Sequence, residues 1–183
     1  AEGCMNAAKL GEQGHAVRVS VNISVRDLLD GQFYLYVREC LVEANIPPSR
    51  LCLEITESGA MEEAPAVLDN LNQLKQMGVA MAIDDYGTGY SSLSYVRQLP
   101  VSELKIDQSF IKHMIDSPND MMIVHSTIEL AHSLGFSVVA EGVETQQISQ
   151  LLVDFGCDSA QGYFYARPLP FADYATWLAQ RPH

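Results

Sequence analysis

The chain is poor in positive charge: 11 Lys and Arg stand against 23 Asp and Glu in 183 residues, a formal net charge of −12. A groove for DNA or RNA built from Lys and Arg is therefore excluded as its main surface. No apolar run approaches the roughly 18 residues that a membrane-spanning helix needs, so no membrane contact is expected from this segment. No secretory signal is read at its start. Cysteine is scarce too, and the four present (Cys4, Cys40, Cys52, Cys157) share no CxxC spacing. That leaves out a zinc ribbon and a thioredoxin-type motif. Cys40 lies in an amphipathic helical pattern and Cys52 in an apolar strand, so buried reduced thiols and a reducing cytoplasm are expected. The five histidines lack metal spacing, and His125 and His132 share a helix without an HExxH arrangement. Low-complexity tracts and linkers are also missing, which predicts one domain over residues 1–183. Its hydrophobic content of 48% suffices for a core. The chain opens on Ala1 and enters a helical pattern directly, so it reads as a piece of something longer.

What is present is an alternation. Six segments read as short strands: Val17–Asn22, Leu51–Glu54, Val79–Asp85, Glu103–Asp107, Ser137–Glu141 and Cys157–Gln161. Helical spacing fills the intervals, notably over Leu28–Asn45, Ala64–Met77, Asp120–Leu134 and Thr145–Phe155, with Phe171–Ala179 as a last helix. Pro47-Pro48 ends the first of these, and Gly78, Gly135 and Gly156 close the next three. Such alternation calls for parallel strands joined by right-handed crossovers. An open doubly wound sheet gathers ligands at one switch point, whereas a barrel distributes them around its mouth. Here every strand ends in a polar or acidic group, which suits a barrel. A complete barrel has eight strands and about 250 residues; six strands leave two missing.

The rim groups are Asn22, Glu54 with Glu57, Asp84 with Asp85, Lys105 with Asp107, Glu141 with Glu144, and Gln161. Carboxylates and amide oxygens without His or thiolate are hard ligands, suited to Mg2+ or Mn2+ rather than zinc. Packed together, five carboxylates repel one another unless divalent cations are present. Adjacent Asp84 and Asp85 cannot point the same way within an extended strand, but a turn at the strand end permits it. Two metal ions about 3.5–4 Å apart are the standard arrangement for in-line attack on a phosphodiester, and Lys105 would lie near the attacking water. Taken singly, a strand-end acid such as Asp107 or Glu57 is as readily a cap for the next helix. Gly87-Thr88-Gly89 resembles a phosphate-cradling turn only weakly, and reads better as a lid or dimer-contact loop beside the carboxylates.

Val19-Ser20-Val21-Asn22-Ile23-Ser24, Leu53-Glu54-Ile55-Thr56-Glu57, Asp84-Asp85-Tyr86-Gly87-Thr88-Gly89-Tyr90-Ser91-Ser92-Leu93, Leu104-Lys105-Ile106-Asp107, Val139-Ala140-Glu141-Gly142-Val143-Glu144-Thr145 and Gln161-Gly162-Tyr163 occur in order. Together they closely resemble the EAL-domain family of bacterial cyclic-di-GMP phosphodiesterases, over essentially the whole chain. The resemblance implies a (β/α)8 TIM-barrel-like fold, here with about six of eight strands. It implies hydrolysis of cyclic di-GMP to linear pGpG with two Mg2+ or Mn2+ ions. It marks Asn22, Glu54, Asp84, Asp85, Glu141 and Gln161 as metal ligands, with Glu144 reaching the second ion. It gives Lys105 the catalytic water, and makes Glu57 the anchor of the loop after Asp84-Asp85. Tyr86 stands where Phe is more usual.

The departure is at the start. The Glu-Ala-Leu or Glu-Val-Leu tripeptide that names the family belongs upstream of Ala1, together with two strands and a metal-binding Glu. Two readings follow: a catalytic phosphodiesterase domain, impaired or inactive as this truncated chain, or a non-catalytic module that binds cyclic di-GMP or a partner protein. Open strand edges further predict a homodimer or other self-association.

Overall fold

The computed structural model describes residues 1–60, 65–88 and 93–180, the side chains of 93 and 94 excepted. Gly89, Ser91 and Ser92 of the expected lid loop lie outside the described residues. The chain runs α1 (Glu2–Glu12), β1 (Val19–Ile23), α2 (Val25–Leu29), α3 (Phe33–Ala44), a single 3-10 turn, β2 (Leu51–Thr56), α4 (Glu57–Ala60) and α5 (Pro65–Met77). It continues through β3 (Ala80–Tyr86), α6 (Leu93–Val96), β4 (Glu103–Ile106), α7 (Gln108–His113), α8 (Pro118–Ser133), β5 (Ser137–Ala140), α9 (Gln146–Asp154), β6 (Ser159–Ala160) and α10 (Phe171–Ala179).

All six strands are parallel and lie side by side in sequence order, β1 to β6. A doubly wound sheet would permute that order at a switch point. Sequential order with right-handed crossovers puts every helix on one face and leaves the other concave, as in a TIM barrel. Side chains alternate between these faces along each strand. Leu53, Ile55, Met81, Ile83, Leu104, Ile106 and Val138 point outward into one contiguous hydrophobic core with the helices. Cys52, Glu54, Ala82, Asp84, Glu103, Lys105 and Val139 take the opposite parity and fill the concave face. The barrel-like α/β architecture expected from the alternation is the one observed.

The helix expected over Leu28–Asn45 is two helices. Asp30 accepts the Gln32 N–H at 3.0 Å, turning the chain at Gly31, and the buried Asn70 of α5 donates to the carbonyls of Leu28 (2.8 Å) and Asp30 (2.9 Å). A side chain from a distant helix thus satisfies carbonyls that a continuous helix would have bonded internally. The helix ends follow the sequence: Ser24 and Asp27 form a capping box, Ser117 caps α8 with Pro118 next, and Thr145 caps α9. Cys4, Cys40 and Cys52 are buried, and all four cysteines are free. No described helix is long and apolar enough to cross a membrane.

Candidate active site at the carboxyl ends of the strands

Lys105 stands at the centre of the concave face, 4% exposed. Its Nζ lies 2.8 Å from Oε2 of Glu54, 2.8 Å from Oδ1 of Asp84 and 2.6 Å from Oε1 of Glu141. Four consecutive strands, β2 to β5, thus converge on one ammonium. Period-2 alternation and the register bring this about: Glu54 pairs with Ala82 two residues before Thr56↔Asp84, and Lys105 pairs with Val139 two residues before Glu141. Burial alone would push the Lys105 ammonium down, but its hydrogen bonds to Asp84, Glu141 and Glu54 outweigh this and hold its pKa above the ordinary value. Burial pushes the Glu141 carboxyl up, and Lys105 pulls it only part of the way back.

Asp84 and Asp85 reach the same side through a β-bulge. Ile83 pairs with Leu104 and Tyr86 with Ile106, so three residue steps on β3 oppose two on β4. Asp85 takes up the extra residue at φ 56, a left-handed conformation rare for a non-glycine residue and typical of functional sites. Ligand oxygens of Asp84, Asp85 and Glu141 consequently all lie within 4.8 Å of one another. Burial, then the neighbouring Asp84 and Asp107, push the Asp85 carboxyl up.

Behind this cluster, Glu57 opens α4 with 3% exposure, and its Oε2 accepts the Gly87 N–H at 2.9 Å. Gly87 has φ +99, and a Cβ there would meet the Phe110 ring at 2.9 Å. Glu57 and Phe110 therefore grip the turn that follows Asp85 from two sides. Tyr86 is half-buried, and burial and then Glu57 push its hydroxyl up.

Asn22 is exposed at the end of β1, opposite Glu54 in register. Gln161 follows β6 and donates through Nε2 to Oε1 of Glu141. Glu144 stands apart from Lys105 and pairs with Lys112 of α7 at 3.3 Å. Asp107, readable in sequence as a cap, does accept the Ser109 N–H at 3.0 Å, but its charge also acts on Asp85 and pushes that carboxyl up. The Arg18–Glu103 pair lower on the concave face was missed altogether. Its signal was available, since Glu103 lies two residues before Lys105 in a strand and shares its face.

The donor set is four carboxylates, Glu54, Asp84, Asp85 and Glu141, of which Glu54, Asp84 and Glu141 pair with Lys105. All-oxygen donors in excess of local positive charge fit one or more hard divalent cations. Asn22, Gln161 and Glu144 could supply further oxygens from the margin.

The model for the EAL domain matches residues 2–168. The chain belongs to the EAL domain family. It is 42% identical over 170 residues to the bifunctional diguanylate cyclase/cyclic di-GMP phosphodiesterase MucR of Pseudomonas aeruginosa, covering 92% of this chain and 25% of that protein. A solved MucR phosphodiesterase in complex with c-di-GMP superposes with a TM-score of 0.89 at 41% identity, over 94% of this chain and 70% of that one. The EAL domain of Mycobacterium smegmatis DcpA gives 0.92 at 36% identity, over 98% and 81%. A manganese/cy-diGMP complex of Klebsiella pneumoniae BlrP1 gives 0.82 at 28% identity, over 90% and 42%. The chain spans between 21% and 45% of the length of the first four curated relatives it matches.

Proposed function

We propose that this EAL domain hydrolyses cyclic di-GMP to linear pGpG with two divalent ions, Mg2+ or Mn2+. The observation that carries the reading is the convergence of Glu54, Asp84 and Glu141 on Lys105, with Asp85 turned to the same side by the bulge. Glu54, Asp84, Asp85 and Glu141 would hold the ions, with Asn22, Gln161 and Glu144 completing the set. Ions bound there would supply positive charge opposite the phosphoryl oxygens and lower the pKa of a bound water. Lys105 is a buried ammonium held in its charged form by three carboxylates that occupy all three of its N–H donors; ions taking up one of those carboxylates would free a donor to orient a water and face developing negative charge. Gln161 restrains Glu141 by its hydrogen bond. Glu57 holds the turn after Asp85 and with it the strained backbone that aims the two aspartates.

The test is hydrolysis of cyclic di-GMP by the full-length protein with Mg2+ or Mn2+, followed by chromatography of the nucleotides. Appearance of pGpG supports the reading. A folded protein that binds the dinucleotide in calorimetry without turnover would instead be a binding module. Self-association belongs to the same reading, and sedimentation as a monomer at high concentration would count against it.

A further inference from the structure

Away from the carboxylate rim, α1 packs on α3, and each helix brings a cysteine to that contact. Cys4 and Cys40 are 4% and 7% exposed, and both are free thiols. They line one cavity of about 490 Å³, together with Val21, Leu53, Phe33 and Tyr36. Neither Cys52 nor Cys157 lines it. Cys4, Ala7 and Leu10 form the buried face of α1, and Val37, Cys40, Leu41 and Ala44 that of α3. One turn beyond the cysteines, Ala7 and Ala44 line a common groove, and such small side chains let helix axes approach closely. Cys4 therefore faces Cys40 in the same succession as Ala7 faces Ala44. Burial pushes the Cys4 thiol up, and a charge on Cys40 adds to that push, as expected of two sulfurs within electrostatic reach.

We propose that Cys4 and Cys40 are an oxidation site, a thiol pair that hydrogen peroxide joins into a disulfide stapling α1 to α3. One sulfur, as thiolate, attacks a peroxide oxygen; the O–O bond breaks, water leaves, and a sulfenic acid remains. The second thiol attacks that sulfur, the S–O bond breaks, and the hydroxyl leaves with the thiol proton as a second water. The two sulfurs lose two electrons and the peroxide gains them, so one S–S bond and two waters result. The cavity is the path by which so small an oxidant reaches thiols that bulk solvent barely touches. Thiols pushed up by burial react slowly, and once joined they are poor leaving groups. The pair is thus a durable latch rather than a fast sensor. Since α1 precedes β1 and α3 follows it, the bond encloses β1, with its Asn22, in a covalent loop.

The experiment treats the folded full-length protein with hydrogen peroxide, blocks remaining thiols with iodoacetamide and maps the tryptic peptides without reduction by mass spectrometry. Trypsin cuts after Lys9 and Arg38, which separates the two cysteines unless a bond joins them. The expected product is the Cys4 peptide joined to the Cys40 peptide within one chain, returned to two free peptides by dithiothreitol. The melting temperature is expected to rise by about 5 °C or more on oxidation. That rise should vanish with dithiothreitol and in Cys4→Ala and Cys40→Ala, and persist in Cys157→Ala. Recovery of both cysteines as alkylated thiols or sulfinic acids overturns the site, as does their bonding to other cysteines or other chains. A bond that forms only in urea, or that leaves melting unchanged, overturns the latch.

Discussion

The Nη2 of Arg18, just ahead of β1, lies 2.5 Å from the Oε2 of Glu103 at the start of β4. Three strand spacings in a flat sheet amount to roughly 14 Å, and the two side chains bridge that interval across the concave face because the sheet curls. Glu103 is buried whereas Arg18 is partly exposed. Removing the arginine therefore strands a buried carboxylate. Arg18→Met is expected to cost about 1–3 kcal/mol in urea denaturation, and Arg18→Met with Glu103→Leu should recover most of it. Equal stability of the single variant and the original would show that the pair does not brace the sheet.

Lys105 faces the same acids that would hold the ions. Lys105→Met is expected to lower phosphodiester hydrolysis by about 100-fold or more, yet to tighten Mn2+ binding, because no ammonium then competes for Glu54, Asp84 and Glu141. Calorimetric titration with Mn2+ separates the two effects. Weaker Mn2+ binding would mean instead that Lys105 holds the carboxylates in place.

The turn after Asp85 has room for glycine alone. Gly87→Ala places a Cβ against Phe110 at a positive φ, and is expected to destabilise the protein by about 1 kcal/mol or more. Adding Phe110→Ala relieves the clash but not the φ strain, so rescue should be partial. Glu57→Gln keeps the shape and weakens the bond to the Gly87 N–H, which predicts a loss of turnover larger than the loss of thermal stability.

Asp158 ties β6 to β5. Its Oδ2 lies 2.8 Å from His132 Nε2 and accepts the Val138 N–H at 2.8 Å. Burial works against the charged carboxylate, but these partners prevail and lower its pKa below the ordinary 3.8. A depressed carboxyl pKa contributes stability above 3.8 that is lost as pH falls through the folded-state value. Asp158 and His132 are both well exposed, so the contribution is small, about 0.5–1 kcal/mol. Asp158→Asn should lower stability by that amount at pH 7, and the difference should shrink as acid urea melts pass below pH 3.8. A pH-independent difference would rule out the carboxylate as its source.

Local pattern carried much of the fold. The strand segments and the glycines after α5, α8 and α9 were legible because each depends on residues a few positions apart. Period-2 alternation also put Glu103 with Lys105, and Cys52 with Glu54, on common faces. It did not show the break between α2 and α3, since the carbonyls freed there are satisfied by Asn70, about forty residues further on.

The sequence by itself determined that acids arrive at the carboxyl ends of parallel strands, because alternation and helix length dictate that placement. Tertiary structure alone decided that Glu54, Asp84 and Glu141 close on Lys105, that a bulge turns Asp85 to join Asp84, and that Arg18 reaches Glu103. Those relations depend on sheet curvature and on a one-residue slip between β3 and β4, neither of which leaves a periodic trace in the chain.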